Sequence, residues 1–346
     1  MKHQTTRYGE IPFYKIGTFG NTADAFISKK LFLEYKTKYS FPKKGDVLIS
    51  ASGTIGRAVI YDGKPAYFQD SNIVWIDNDE TLVKNDFLFY AYSNVKWNTE
   101  HTTILRLYND NFRNTLIPLP SLNEQSAIAN ILSGLDRYLC ALDALILKKE
   151  SVKKSLSFEL LSQRKRLKGF NQAWQRVRLG DIANYLTSNL SVEQITQQGK
   201  IKVYDVNNFI GYTDTTFISN KPYISIVKDG SVGRVRILPP KTNILSTMGA
   251  LIANHRTTTE FLFYLLSNFD FKNFTSGSII PHIYFKDYKE KTIFLPSLNE
   301  QSAIADILSG LDNEIISLKN KKRQFENIKK ALNHDLMSAK IRVLKK

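Results

Sequence analysis

Two long helical patterns dominate the arrangement of apolar positions along the chain. In each, apolar residues recur at alternating spacings of four and three, which is typical of a coiled-coil seam. The first seam should run from about Leu122 to Leu167 and contains Ile128, Leu132, Leu135, Leu139, Leu142, Ile146, Leu156 and Leu160. The second contains Ile304, Leu308, Leu311, Ile315, Leu318, Phe325, Leu332, Leu336 and Val343.

Lysines interrupt both seams, so neither is a perfect zipper. Lys149 and Lys153 occupy seam positions in the first helix, and Lys322 and Lys329 do so in the second. Two equivalent helices in one chain would most simply pack against each other, and we predict that pairing. The alternative is that each helix packs on its own domain or on another subunit.

Both helical patterns begin in nearly the same sequence. The stretch Leu119–Asp136 returns as Leu295–Asp312, and the two copies differ at one position, Asn130 against Asp306. Each copy contains a capping-box pattern. The Ser121 hydroxyl should accept a hydrogen bond from the Glu124 amide, while the glutamate reaches back.

Two further matches extend this repeat into the preceding segments. The turn Gly53–Arg57 matches Gly230–Arg234, and Phe87–Asn94 matches Phe261–Asn268. The three matches lie 174 to 177 positions apart. They predict an internal repeat of about 175 residues. The framework is duplicated, whereas the sequences between the matches differ between the two halves.

Short β-branched runs predict strands ahead of the first helix. Val47–Ser50 and Ala58–Tyr61 should form strands, with Ser52–Arg57 between them as a hairpin or loop connection, and Asn72–Ile76 should form another strand. Phe87–Tyr92 is apolar nearly all round, and we predict a helix capped by Asp86.

The chain is therefore expected to be an α+β protein with four segments. Residues 1–116 and 169–292 should be mixed α/β domains. Residues 117–168 and 293–346 should be the two long helices.

Composition adds a strong positive charge to this picture. Lys and Arg number 48 against 32 Asp and Glu, which gives a formal net charge of +16 and a pI near 9.6. Such a charge favours a polyanionic partner, nucleic acid before an anionic membrane. The alternative is a charge that only aids solubility.

The rest of the composition argues for a cytoplasmic protein. Cys140 is the only cysteine, so intrachain disulfides and thiolate metal clusters are excluded. The N-terminus has no apolar h-region, and no window holds 18 apolar residues. We therefore expect neither a signal peptide nor a membrane span.

No familiar catalytic motif is present. The sequence has no P-loop, no acidic-Pro-Pro-aromatic motif of amino-methyltransferases and no Ser-centred nucleophile elbow. The five histidines lack metal-ligand spacing. We therefore expect a non-enzymatic chain without catalytic residues, bound cofactor or metal.

Candidate DNA-binding residues lie in the glycine turns and just before the two helices. The segments Thr102–Arg113 and Ser276–Lys286 mix aromatic, cationic and amide side chains, which can bind phosphates and base edges. The predicted set is Ser52, Thr54, Arg57, Arg106, Tyr108, Asn109, Arg113, Ser231, Arg234, Arg236, His282, Tyr284 and Lys286.

Each candidate has an ordinary structural alternative. Arg57 and Arg234, at matching places in the repeat, could contact phosphate or guanine, or could form surface salt bridges. The two segments could be plain connections. Tight turns are the favoured role of the glycines. The lysine and arginine clusters of the helices, such as Lys319–Arg323, are interpreted as solvated faces.

At this point the sequence resembles a known family. Each half carries the pattern E-Q-x-x-I-A-x-I-L-S-x-L-D at its helix start, and the second domain opens with Trp174–Ile182. This order is similar to the specificity subunits of type I restriction–modification systems. The resemblance covers nearly the whole chain.

The resemblance implies a fold and a function. Each globular part would be a target recognition domain that reads one half of a bipartite double-stranded DNA site. The two helices would form an antiparallel coiled coil that fixes the gap between the half-sites, in a pseudo-twofold arrangement. Partners would be two methylation subunits, which bring S-adenosylmethionine, and restriction subunits, which bring ATP hydrolysis and cleavage. The alternative is a silent specificity allele that acts only as an assembly scaffold.

One departure from the family pattern concerns the first domain. Alignment of Tyr14 with Tyr204 would place a partner of Trp174 before Met1. The first half therefore lacks the W-x-x-x-x-L-G-D-I opening, and we expect a member shortened at its N-terminus.

Overall fold

A computed structural model describes residues 4–69, 72–97 and 106–344. The chain divides into two compact units. Unit 1 comprises Met1–Asp143 together with Asn320–Lys346, and unit 2 comprises Ala144–Lys319. Each long helix therefore contributes one half to each unit.

The described residues of unit 1 form two small sheets and three short helices ahead of a long one. Of the two connections considered for Ser52–Arg57, the structure shows the hairpin, because the strands on either side of it pair antiparallel. The strand predicted at Asn72–Ile76 is confirmed over Ile73–Trp75. The elements are β1 Ile11–Tyr14, β2 Ala25–Ile27, α1 Lys29–Lys38, β3 Val47–Ser50, β4 Ala58–Ile60, β5 Tyr67–Phe68, β6 Ile73–Trp75, α2 Asn85–Tyr92, α3 Asn109–Arg113 and α4 Leu122–Leu161.

The helix predicted at Phe87–Tyr92 exists, but its predicted cap is wrong. Helix α2 begins at Asn85 after the extended residue Lys84, so Asp86 lies in the first turn. A carboxylate there still favours the positive end of the helix dipole. Gln125 of α4 orders the start of α2, because its Oε1 accepts from the Lys84 amide at 2.8 Å. Sequence spacing could not show this contact.

Unit 2 repeats this plan with additional strands. Its elements are β7 Gln175–Arg178, β8 Ala183–Thr187, β9 Ile201–Tyr204, β10 Phe209–Thr213, β11 Tyr223–Val227, β12 Val235–Leu238, β13 Asn243–Ile244, β14 Met248–Ala253, α5 Thr259–Ser267, β15 Thr275–Ser276, β16 His282–Ile283, α6 Phe285–Tyr288, β17 Thr292–Leu295 and α7 Leu298–Met337.

Sheet topology confirms the internal repeat. The order β4-β3-β6 in unit 1 corresponds to β12-β11-β14 in unit 2, with antiparallel pairing throughout. The order β2-β1-β5 corresponds to β10-β9-β13, and both sheets combine one antiparallel and one parallel pair. The mixed helix and sheet class expected from the sequence is thus present in both units.

Both long helices begin where the capping pattern placed them. The hydroxyls of Ser121 and Ser297 accept hydrogen bonds from the amides of Glu124 and Glu300, each at 3.4 Å. Helix α4 ends at Leu161 rather than near Leu167, because Gln163 adopts a left-handed φ of 62°. Each helix has 40 residues.

The halves of α4 and α7 pair antiparallel inside each unit. In unit 1 the rings of Tyr138 and Phe325 lie 4.7 Å apart. In unit 2 Lys319 forms an ion pair with Glu150 at 2.6 Å. The predicted pairing of the helices is confirmed within each unit. Packing on the preceding domain accompanies it, since Ile128 and Leu336 share one core cluster with Phe87.

The lysines that interrupt the seams have acidic partners on the opposite helix. In unit 2, Lys149 pairs with Glu314 and Lys153 with Asp312. In unit 1, Lys322 pairs with Asp143 and Lys329 with Asp136. Charge pairing replaces apolar contact at these positions, so the helices stay adjacent without a continuous zipper.

Candidate nucleic-acid interface

The glycine turns, Gly53–Arg57 in unit 1 and Gly230–Arg234 in unit 2, have the same backbone structure. All four of their glycines have positive φ between 71° and 83°. The Gly56 amide donates to the Ser50 carbonyl at 3.0 Å, and the Gly233 amide donates to the Val227 carbonyl at 2.9 Å. These amides are used inside the hairpin, which favours the tight-turn interpretation over a phosphate loop.

An aromatic ring covers each turn and explains its second glycine. A Cβ on Gly56 would lie 2.4 Å from the Trp97 indole nitrogen, and a Cβ on Gly233 would lie 2.6 Å from the Phe271 ring. Any side chain would also be strained at positive φ. The covering ring and the positive φ together therefore require glycine at the second position of each turn.

Each glycine turn is joined to the segment before the following long helix. In unit 1, Ser52 and Arg106 form an isolated antiparallel bridge, and the Leu107 amide donates to the Ala51 carbonyl at 2.8 Å. In unit 2, Asp229 and His282 form the equivalent bridge. The two groups of residues predicted from separate parts of the sequence thus meet in each unit.

The unit 1 site combines exposed polar side chains on this framework. Thr54, Tyr108, Asn109 and Arg113 are exposed, with Tyr108 42% exposed. Tyr108 precedes helix α3, and its amide donates to the Asn111 side chain at 2.6 Å. Of the predicted segment Thr102–Arg113, residues 102–105 lie outside the described residues.

Arg113 and Arg106 have different surroundings in unit 1. Arg113 forms an exposed ion pair with Asp110 at 3.6 Å, which is weakly held and can open to a phosphate. Arg106 is half-buried, and its Nη2 donates to Asn72 Oδ1 at 2.9 Å.

Ser52 does not reach the surface. It is 4% exposed, and its hydroxyl donates to Asn72 Oδ1 at 2.8 Å. The Asn72 side chain thus holds the hairpin and the segment at Arg106 together. Burial favours a structural role for Ser52, so we exclude it from the interface proposed below.

The unit 2 site presents a different set of side chains. The rings of His282 and Tyr284 stack with centroids 6.4 Å apart, and the Lys286 ammonium lies 5.5 Å from the Tyr284 centroid. Tyr284 is 49% exposed, and Lys286 and Ser231 are exposed. A partly exposed aromatic stack beside cations can contact bases and phosphates.

Asp229 orients the imidazole at this site. Its Oδ1 lies 2.7 Å from His282 Nδ1, and the side chains of both residues are about one-third exposed. Burial raises the pKa of the Tyr185 phenol, and the negative charge of Asp229 raises it further. Asp229 is not among the residues predicted from the sequence, although it directly precedes the glycine turn.

In each unit, hairpin arginines donate hydrogen bonds to a loop other than the glycine turn, at Phe19 in unit 1 and at Asn207 in unit 2. Arg57 donates to the Phe19 carbonyl at 3.1 Å, and Arg234 donates to Asn207 Oδ1 at 2.8 Å. Arg236 donates to the Asn207 carbonyl at 2.8 Å. Its guanidinium lies 5.3 Å from the Tyr204 ring centroid. Within the described part of the chain, neither Arg57 nor Arg234 forms a salt bridge.

Across residues 4–69, 72–97 and 106–344, no three His, Cys, Asp or Glu side chains cluster as metal ligands. No helix in the same ranges is long and apolar enough to cross a membrane.

Comparisons of the sequence and of the fold with known proteins agree on one family. The family profile described as "Type I restriction modification DNA specificity domain" matches residues 1–150 and 171–327. A putative type I restriction enzyme specificity subunit, S.HindORF215P of Haemophilus influenzae, is 63% identical over 133 residues. That match spans 38% of this chain and only 34% of the relative.

Other similarities extend over most of the chain. The type I restriction enzyme MjaVIII specificity subunit of Methanocaldococcus jannaschii is 24% identical over 362 residues, covering 92% of this chain and 84% of the relative. The crystal structure of a type I restriction-modification S subunit from M. genitalium is similar in fold. Its TM-score is 0.63 at 21% identity, covering 97% of this chain and 91% of that one. The chain belongs to the family of type I restriction–modification specificity subunits, with a copy of the family's DNA specificity domain in each half.

Proposed function

We propose that this chain is the non-catalytic subunit that reads a bipartite double-stranded DNA site for a type I restriction–modification complex. Unit 1 would read one half-site and unit 2 the other. The paired helices would set the gap between half-sites and dock two methylation subunits, with restriction subunits joining the same complex.

The proposal rests on one observation: the two units share a backbone framework but present different side chains on it. Both units bring a glycine turn against the segment before a long helix through an isolated bridge. On that framework unit 1 presents Tyr108, Asn109 and Arg113, and unit 2 presents His282, Tyr284 and Lys286. Two sites of equal construction and different side chains suit the recognition of two different sequences.

The chemistry of these side chains fits DNA. Lysine and arginine bind phosphates and guanine edges, and asparagine can pair with adenine in the major groove. The net charge of +16 supports attraction of the duplex as a whole. The proposed contacts are Thr54, Arg57, Arg106, Tyr108, Asn109, Arg113, Ser231, Arg234, Arg236, His282, Tyr284 and Lys286.

The repeated helix starts support docking of two equivalent partners. Ile131 and Ile307 occupy matching positions and are 39% and 38% exposed. Leu122 and Leu298 are also exposed at matching positions. Two similar apolar surfaces on one chain suit two copies of one protein.

A domain exchange tests the proposal. Residues 1–116 would be replaced by the corresponding residues of a relative, in cells that carry the whole system. Mapping of methylated adenines across the genome should then show a change in one half of the target site and no change in the other half. A change in both halves, or in neither, would contradict the assignment of one unit to each half-site.

Point variants in unit 2 provide the matched control. Tyr284→Ala together with Lys286→Ala should relax the half-site that the exchange leaves unchanged. Tyr108→Ala together with Arg113→Ala should affect the other half-site. Loss of all methylation in either variant would mean either lost affinity for the whole bipartite site or a folding defect, and circular dichroism of the purified variant separates the two.

A further inference from the structure

Two arginines attach a further loop of unit 2 to the hairpin that carries the glycine turn. This loop, residues 205–208, joins β9 to β10. Arg234 Nη2 donates to Asn207 Oδ1, and Arg236 Nη1 donates to the Asn207 carbonyl, both at 2.8 Å. The Arg236 guanidinium also lies 5.3 Å from the ring centroid of Tyr204, the last residue of β9. The loop is therefore fixed beside a turn that belongs to the proposed interface.

An aspartate orders the backbone of this loop. Asp205 Oδ1 accepts from the amides of Asn207 and Asn208, at 2.7 and 2.6 Å. The Asp205 amide in turn donates to the Asn208 carbonyl at 3.0 Å. Aspartate favours such turns because its side chain can bond to the backbone two residues on. The asparagine side chains therefore extend from a preorganised backbone.

The two asparagines of the loop differ in what their carboxamides can still bind. Both residues are exposed. The Asn207 oxygen accepts from Arg234, whereas the Asn208 carboxamide makes no hydrogen bond to residues 4–69, 72–97 or 106–344. An asparagine that pairs with adenine in the major groove uses its oxygen for N6 and its amide for N7. Asn208 has both groups available, whereas Asn207 shares its oxygen with a guanidinium.

Unit 1 repeats this attachment with a different sequence. Its corresponding loop, residues 15–24, joins β1 to β2, and Arg57 donates to the Phe19 carbonyl at 3.1 Å. Asn21 is exposed in this loop, and its backbone amide donates to the Thr18 carbonyl at 2.9 Å. Its carboxamide makes no hydrogen bond within the described part of the chain. Each unit thus holds, beside its glycine turn, a loop with one available carboxamide.

We propose that these two loops read bases next to the interface described above, and that Asn208 of unit 2 and Asn21 of unit 1 each pair with an adenine edge in the major groove. The inference rests on the proposed function, because it assigns further base contacts to the same two half-sites. Neither loop contains a residue predicted from the sequence. Arg234 uses one nitrogen to hold Asn207 and retains further N–H donors for phosphate.

The test measures base preference one position at a time. Mapping of methylated adenines locates the half-site that exchange of residues 1–116 leaves unchanged. The purified full chain is then bound to duplexes in which each base pair of that half-site is replaced in turn. The parent chain should prefer A·T at one position by about 5- to 150-fold, the discrimination of a good bidentate pair. Asn208→Ala should lose that preference and keep the preferences at other positions.

Further variants separate base reading from a general loss of binding. Asn208→Asp keeps the size of the side chain but has only acceptors, so its preference at that position should move toward cytosine, whose N4 amino group donates. Asn220→Ala is the matched control, because Asn220 is exposed on the loop before β11, whereas the glycine turn follows β11. It should bind every duplex as the parent does. Asn21→Ala should relax one A·T position in the other half-site.

Three outcomes would overturn the inference. One is an Asn208→Ala chain whose base preferences equal those of the parent. Another is equal weakening on every duplex, which would make Asn208 a phosphate contact. The third is relaxation at a position occupied by G·C. If this inference alone fails, Tyr284→Ala with Lys286→Ala still relaxes the unit 2 half-site. If the proposed function fails, that double variant also leaves every base preference unchanged.

Discussion

Glu300 and Glu124 occupy matching positions in nearly identical stretches, yet their surroundings differ. Glu300 is fully buried beneath Arg166 and Trp174, whereas Glu124 is partly exposed beside a cavity. The difference arises from Trp174–Thr187, a segment distant in sequence from both glutamates.

Removal of the Glu300 carboxylate should therefore be costly. Glu300→Ala leaves the guanidinium of Arg166 and the indole N–H of Trp174 without their acceptor. We expect a loss of about 3 kcal/mol in the free energy of unfolding of unit 2. Glu124→Ala is the matched control and should cost less than about 1 kcal/mol. Urea denaturation followed by hydrogen exchange in each unit measures both, and equal losses would contradict the difference.

Tyrosine burial predicts instability at alkaline pH. Burial raises the pKa of Tyr223 to about 12, although its hydroxyl also contacts Thr242. In the unfolded chain the phenol ionises near pH 10. Between pH 10 and 12 the unfolded state therefore binds fewer protons than the folded state. The contribution of this group to stability is complete below pH 10 and is lost as pH rises through that window.

Tyr223→Phe should flatten this dependence. The slope of the unfolding free energy above pH 10 should become shallower by up to about 1.4 kcal/mol per pH unit. Urea midpoints between pH 8 and 11 measure it. Tyr8→Phe is the control, because Tyr8 is 79% exposed. An identical slope in the Tyr223 variant and the parent chain would contradict the prediction.

At the residue scale, glycines could be predicted and buried polar partners could not. The positive φ of Gly56 and Gly233 follows from a turn between two β-branched runs. The burial of Ser52 does not, because it depends on Asn72 and Arg106 from other parts of the chain. A local backbone conformation can be predicted from neighbouring residues in the sequence. The hydrogen-bond partners of a buried side chain depend on the tertiary structure.

At the element scale, two of the four seam lysines, Lys153 and Lys329, belong to a repeated cluster of three side chains. In unit 1, Asp136 pairs with Lys329 and accepts from the Tyr90 hydroxyl. In unit 2, Asp312 pairs with Lys153 and accepts from the Tyr264 hydroxyl. Burial and the carboxylate raise the pKa of both phenols above the ordinary range. Each cluster joins α4, α7 and the short helix of its domain.

Reversal of one charge in a cluster should loosen the helix pair. Lys153→Glu places two carboxylates together beside Tyr264 and should lower the unfolding free energy by about 1–2 kcal/mol. The double variant Lys153→Glu with Asp312→Lys should recover part of that loss, whereas Lys153→Glu with Lys148→Glu should not. Thermal melts of the parent chain, the single variants Lys153→Glu and Asp312→Lys, and the two double variants measure the coupling. Full additivity in the first pair would show that the ion pair contributes nothing.

Helix starts could be predicted more accurately than helix ends. The serine caps at Ser121 and Ser297 lie one residue before helices α4 and α7, as their pattern indicates. The end of α4 at Leu161 depends on one residue of left-handed conformation, Gln163, which is not a glycine. The start of α2 depends on Gln125 from another helix. A capping signal lies next to the helix start in the sequence, whereas the end of α4 has no comparable signal in the sequence.

At the scale of the whole chain, duplication was the strongest sequence signal. Three matches at nearly one spacing predicted two related domains, and the two units share their sheet orders. The fourth strand, β8, and the partly buried Trp174 of unit 2 are among its additions. Repetition predicts architecture because both copies must bury equivalent apolar faces, whereas the target of each surface depends on side chains that the copies do not share.

The salt dependence of DNA binding separates a DNA-reading subunit from a scaffold. A chain with a net charge of +16 should bind any duplex through phosphates, so affinity for random DNA cannot decide the question. With about 6–10 phosphate contacts, affinity should fall by about 10³ to 10⁵ between 50 and 200 mM salt. A DNA-reading subunit should keep its preference for one bipartite sequence at every salt concentration, and a scaffold should show none.

Arg234→Ala should reduce the slope of log affinity against log salt by about one if this arginine binds phosphate. Lys148→Ala, on the solvated face of α4, should leave that slope unchanged. Equal slopes in all three chains would remove Arg234 from the interface, and loss of sequence preference in the parent chain would favour the scaffold.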